Sequence, residues 1–137
     1  MRLRRETDVL PQGKITSRHV TGKGPAVVCV HGAGVSSRQN LPLLEVSGGV
    51  RETWALDLPG FGASTATEKD VSVGVLAEAV LDWLRAKDLT APCLLGTSMG
   101  TQVVVEAAVR APDDVGSLVL VGPTVDPQIR SWPLLVG

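Results

Sequence analysis

Ala91-Pro-Cys-Leu-Leu-Gly96-Thr97-Ser98-Met99-Gly100-Thr101-Gln-Val-Val-Val-Glu-Ala-Ala-Val-Arg110 decides the fold. An apolar run at 91–95 reads as a strand, residues 101–110 carry a helical pattern, and Gly-x-Ser-x-Gly joins them. A strand, a tight turn and a helix in that order make a nucleophile elbow. Its glycines answer a steric demand, because side chains two positions either side of the serine would collide in so sharp a turn. The serine itself is expected in a strained backbone conformation. Its hydroxyl would then stand exposed at the end of a strand, beside the positive end of a helix.

Working outward, residues 15–20 alternate weakly and end at the turn Thr21-Gly-Lys-Gly-Pro25. Ala26-Val-Val-Cys-Val30 is a continuous β-branched run, the mark of a strand buried on both faces, and His31-Gly-Ala-Gly34 follows it. Residues 40–46 are a short helical candidate. Residues 53–56 form the next strand, closed by Asp57-Leu-Pro-Gly-Phe-Gly62, which its proline and glycines keep from being helix. Val71, Val75, Leu76, Ala79, Val80, Trp83 and Leu84 then fall on one stripe at helical spacing, as core rather than as a cofactor box. Ser117-Leu-Val-Leu-Val121 is the last buried strand. Strands alternating with helices predict an α/β fold: a mostly parallel sheet with helices on both faces. Ligands of such sheets sit at the carboxyl ends of the strands. The three glycine-bearing segments at 31–34, 57–62 and 96–100 all lie there, so they are expected to converge on one edge.

The chain has 137 residues, which bounds it to one domain with a real core. A net charge of −1 gives no basis for binding nucleic acid or an anionic membrane. Aromatic residues make up only 3%, which suits buried strands under helices rather than an aromatic binding face. The basic start Met1-Arg-Leu-Arg-Arg5 is read as a solvated extension, since no apolar stretch of signal-peptide length follows it. A cytoplasmic protein is expected, with Cys29 and Cys93 reduced, buried and inert, and with no cofactor and no metal site.

Taken together, Val28-Cys-Val-His-Gly-Ala-Gly34, Trp54-Ala-Leu-Asp-Leu-Pro-Gly-Phe-Gly62 and Leu94-Leu-Gly-Thr-Ser-Met-Gly100 resemble the α/β-hydrolase superfamily. They look most like bacterial members near the carbon–carbon bond hydrolases, esterases and peroxidase-like hydrolases. The resemblance implies a serine hydrolase acting on an ester-like or carbon–carbon bond of a small molecule, with Ser98 as nucleophile. It implies backbone N–H donors to the oxyanion at Ala33 and Met99. The Met99 assignment also stands on physics, since the first amide of a helix has no intrahelical acceptor. Preorganised donors of this kind are worth ~2.7–4 kcal/mol each at a transition state. In the family the histidine of the HG motif is structural, so His31 is expected to support the site rather than act as base. His19 is read as a surface or packing residue and Asp57 as a turn-stabilising carboxylate. Asp126 lies where some relatives place the acid.

Serine at position 98 argues against the aspartate-nucleophile relatives. No histidine follows it among the remaining 39 residues, whereas a full member of this architecture needs roughly 200–250 residues. The expectation is therefore a truncated α/β-hydrolase fold, residues 1–137 as a partial domain without lid and C-terminal strands. Because an unassisted serine hydroxyl is a poor nucleophile, the isolated chain is expected to be weak or inactive. The strand at 117–121 would be left as an apolar edge, which predicts self-association or a partner carrying the C-terminal half. A non-catalytic half-domain that pairs with another chain is the alternative. A nucleotide-binding doubly wound domain fails on spacing. Gly32-x-Gly34 and Gly60-x-Gly62 meet serine at 37 and threonine at 65, where G-x-G-x-x-G needs glycine, and no Walker lysine follows.

Overall fold

The computed structural model describes residues 2–123 other than 68 and 70. Six strands form one sheet: β1 (Arg4–Leu10), β2 (Gly13–Val20), β3 (Lys23–Val30), β4 (Arg51–Leu56), β5 (Cys93–Thr97) and β6 (Ser117–Val121). Their spatial order is β1-β2-β4-β3-β5-β6. β1 and β2 run antiparallel to each other, β2 runs antiparallel to β4, and β4, β3, β5 and β6 are mutually parallel. From β3 the chain turns to β4 on one side and then crosses to β5 on the other. Strand order thus reverses at β3, where sheets of this kind open a crevice for ligands.

Helices cover both faces. α1 (Leu41–Ser47) packs Leu44 against Val20, Cys29 and Ala55. α2 (Val73–Ala86) and α3 (Met99–Arg110) cover the other face, where Val28, Val30, Trp54, Leu56 and Leu94 meet Leu76, Val80, Trp83 and Val103. Successive β3 residues therefore serve opposite layers, and Val28, Cys29 and Val30 are all fully buried. α2 begins at Ser72, whose hydroxyl accepts the Val75 N–H. Of the predicted apolar stripe, Leu76, Ala79, Val80, Trp83 and Leu84 are buried on α2, whereas Val75 is half-buried and Val71 precedes the helix. Ala77 and Leu81 are buried too. α3 packs along α2 in addition to the sheet, which widens the covered arc beyond one stripe.

The N-terminal segment corrects the expectation of a solvated extension, since residues 4–10 form β1, paired along its whole length with β2. Its composition hid it. Charges such as those of Glu6 and Asp8 suit an edge strand that must not recruit other strands. Both carboxylates reach Lys87 just past α2, at 2.9 and 2.8 Å. Lys87 also stands 5.4 Å above the Trp54 ring. Among the described residues, nothing pairs with the outer side of the opposite edge strand, β6. In β6, Val119, Leu120 and Val121 are 44, 43 and 46% exposed, and β5 is its one neighbour among the described strands. Among the described residues no helix is long and apolar enough to cross a membrane.

Candidate active site

β5 ends at Thr97 and α3 begins at Met99, so Ser98 alone makes the turn, with φ +54° and ψ −118°. A non-glycine residue with positive φ is costly, and hydrogen bonds on both sides of Ser98 hold it there. Its N–H donates to the Val121 carbonyl at 2.9 Å, which continues the β5–β6 ladder. Its carbonyl accepts the Thr101 N–H at 3.0 Å and the Thr101 hydroxyl at 2.6 Å. The flanking glycines do what the sequence predicts. A Cβ at Gly96 would strike the Gly100 carbonyl, and one at Gly100 would strike the Val30 carbonyl at the end of β3. Ser98 is exposed at the rim, and Met99, the first residue of α3, has an N–H without an intrahelical acceptor.

The loop after β3 lies directly against this turn. A Cβ on Gly32 would sit 3.2 Å from Ser98 Cβ, 3.3 Å from the Thr97 carbonyl oxygen and 3.7 Å from Ser98 Oγ. The His31 ring sits behind that loop, fully buried. Its Nε2 accepts the Leu58 N–H at 3.0 Å, so its proton is on Nδ1, which donates to the Gly32 carbonyl at 2.7 Å. In a trans peptide the carbonyl and the following N–H point opposite ways. Fixing the Gly32 carbonyl toward His31 therefore turns the Ala33 N–H to the other side. Burial holds the ring's pKa below its ordinary value, against the opposing pull of the Gly32 carbonyl and Asp57. With both nitrogens committed, His31 has none left to take a proton from Ser98.

Asp57 closes the third loop. Its Oδ1 accepts the Ser37 N–H at 2.7 Å and its Oδ2 the Ala63 N–H at 3.0 Å. Gly62 is obligatory beside it, because a Cβ there would meet the carboxylate at 2.6 Å from Oδ1. Burial works to raise the Asp57 pKa, but the hydrogen bonds from Ser37 and Ala63 outweigh it and hold the carboxyl below its usual range. It is a turn-stabilising carboxylate, as expected. His19 is a packing residue on β2, stacked on Trp54 at 3.7 Å between ring centres and 3.4 Å from Glu52. Asp126 lies outside the described residues.

The structure thus brings together Ser98, Met99 and the 31–34 loop, and leaves His19 apart on β2. Cys29 and Cys93 are free thiols on adjacent strands, and burial pushes Cys29 up to about 12, which makes it inert. Among the described residues no group of three or more His, Cys, Asp or Glu could hold a metal ion. Sequence reasoning missed two supports. Thr101 anchors the Ser98 carbonyl, and Gln39 Oε1 accepts the Gly32 N–H at 3.2 Å. A threonine early in a helix and a glutamine in a loop carry no periodic signal that marks such roles.

Comparison with known proteins agrees with this fold. Residues 25–135 match the family described as alpha/beta hydrolase fold. A pimeloyl-[acyl-carrier protein] methyl ester esterase from Shewanella sp. (strain MR-7) is 33% identical over 126 residues, covering 90% of this chain and 44% of that protein. Among solved structures, an N-acyl homoserine lactonase superposes with a TM-score of 0.84 at 25% identity, over 89% of this chain and 46% of that one. A membrane phospholipase A superposes with a TM-score of 0.85 at 28% identity, over 97% and 44%. The chain spans less than half the length of each of these relatives.

Two outcomes follow from the site's strain and its buried rings. Replacing Ser98 by glycine removes the positive-φ penalty, which exceeds the entropy glycine adds to the unfolded chain. Urea unfolding should show Ser98→Gly more stable by about 1 kcal/mol, and a loss of stability would show the turn unstrained. For pH, burial lowers the pKa of both His19 and His31 from 6.5. Below that value the unfolded chain binds more protons than the folded one, so stability is full above it and falls as the pH drops through it. The urea midpoint should fall from about pH 7.5 to about pH 5.5, and less steeply in His19→Gln. The Asp57 contribution persists there and is lost only at more acid pH, below its ordinary 3.8.

Proposed function

The chain belongs to the α/β-hydrolase fold family, and from that premise we propose that it carries the nucleophile and oxyanion half of a hydrolase site for an ester-like bond of a small molecule. The observation that carries this reading is the strained, exposed Ser98 with the 31–34 loop packed against it. In the proposed step Ser98 Oγ attacks the substrate carbonyl carbon. The carbonyl π pair moves onto oxygen, and the Ala33 and Met99 N–H groups receive that charge. The tetrahedral intermediate then expels the alcohol, and water releases the acid from Ser98 in a second round. Similarity to a methyl ester esterase and a lactonase supports an ester-like bond ahead of a carbon–carbon bond.

The proton on Ser98 needs a base. His31 has both nitrogens engaged and His19 is stacked on Trp54. These are the only two histidines in the chain. The base is therefore supplied from outside these 137 residues, and the isolated chain is weak or inactive. In that reading the sequence is one partial domain of a cytoplasmic enzyme that needs no cofactor.

Free imidazole provides the test. An alkyl fluorophosphonate should label Ser98 slowly, forming the Ser–O–P bond with loss of fluoride while imidazole takes the proton. Labelling should rise with imidazole and be absent in Ser98→Ala. Labelling that ignores imidazole, or that persists in Ser98→Ala, would contradict the assignment.

The outer side of β6, unpaired among the described residues, favours a second reading, in which the chain is a non-catalytic half-domain that pairs with another chain or with itself. Sedimentation tests the self-pairing arm. A monodisperse monomer that melts cooperatively would remove it.

A further inference from the structure

Gly32 is buried, so its N–H needs an acceptor within the protein. That acceptor is the side chain of Gln39, itself exposed, seven residues further on. The 3-10 turn that presents it, Ser37–Asn40, is fixed from behind. Ser37 N–H is held by Asp57, Ser37 Oγ accepts Arg18 Nε at 3.0 Å, and Ser36 Oγ accepts the Arg38 N–H at 3.3 Å. On the far side of the loop, Gly34 has φ +76° and, among the described residues, nothing within 4 Å of where its Cβ would be. Among the described residues, no atom packs against the loop at that point. Besides its packing against Ser98, two hydrogen bonds hold the loop, one on each side of the Gly32 Cα. His31 fixes the peptide plane that follows, and Gln39 fixes the one that precedes.

We infer that Gln39 is a positioning residue for the oxyanion donor at position 33, acting by accepting the Gly32 N–H. Glycine has the widest backbone freedom of any residue. With only the His31 bond in place, Gly32 can rotate about φ and carry the Ala33 N–H off its line to the Ser98 adduct. Displacements of about an ångström at such donors are kinetically expensive. Gln39 removes that freedom without touching substrate.

This inference rests on the reading of Ser98 as nucleophile, and the experiment separates the two. In the imidazole-assisted labelling assay, the maximal rate and the half-saturating probe concentration are measured for the wild-type chain, Gln39→Met and Gln39→Glu. Methionine keeps the length and shape but not the strong acceptor, whereas glutamate keeps the acceptor. Gln39→Met should lower the maximal rate about tenfold with the half-saturating concentration unchanged. Gln39→Glu should recover most of that loss. In amide exchange, Gly32 should lose protection in Gln39→Met and keep it in Gln39→Glu, with thermal midpoints alike. A Gln39→Met chain labelled at the wild-type rate would overturn the inference alone. A wild-type chain in which Ser98 is never labelled would overturn the reading beneath it and the inference with it.

Discussion

Everything at the carboxyl edge of this sheet depends on two missing Cβ atoms. Glycine at 96 and 100 lets α3 leave β5 so steeply that its first turn rests on the carbonyls closing β3. Any side chain at either position would push the helix off the strand. That close approach forces Ser98 alone to make the turn, and it brings Gly32 against the serine hydroxyl. The strain at Ser98 is thus a consequence of packing elsewhere, and hydrogen bonds from Thr101 and to Val121 sustain it.

A second layer of constraint is polar. The loops after β3 and β4 are anchored by Leu58 in the core and Phe61 against His31, and buried polar side chains tie them together. Asp57 gathers backbone N–H groups from residues 37 and 63, and His31 links the Gly32 carbonyl to the Leu58 N–H. Each of these side chains is costly to bury and makes two hydrogen bonds, Asp57 accepting both and His31 accepting one and donating one, which makes the arrangement rigid. The same bonds decide what His31 can do. A ring that fixes two loops through both nitrogens cannot also shuttle a proton, so structural support and base catalysis exclude each other at this position.

Much of this was legible in the sequence because backbone physics writes strong signals. Glycine spacing around Ser98, the β-branched run at 26–30 and the apolar stripe from Leu76 to Leu84 on α2 each report a local requirement, and all three appear where expected, whereas Val71 of that stripe precedes the helix and Val75 is half-buried. β1 was not legible. Its charges resemble a solvated tail, and its anchor, Lys87, lies 81 residues from Glu6. The burial of Ala77 and Leu81 depends on α3 lying beside α2, which no pattern within α2 reveals. Gln39 was missed for a related reason, since its partner is a backbone N–H, and a backbone group leaves no mark on sequence.

In the proposed reading the nucleophile and its oxyanion donors are already arranged in this chain, and the base comes from outside it. An alkylboronic acid separates those parts, because its boron becomes tetrahedral on bonding to a serine oxygen, and the equilibrium position needs no proton shuttle. Boron NMR with the wild-type chain should show a tetrahedral adduct that is absent in Ser98→Ala, with the amide signals of Ala33 and Met99 shifted on its formation. Boron that stays trigonal at saturating concentration, or an adduct that leaves both amides unmoved, would contradict the account.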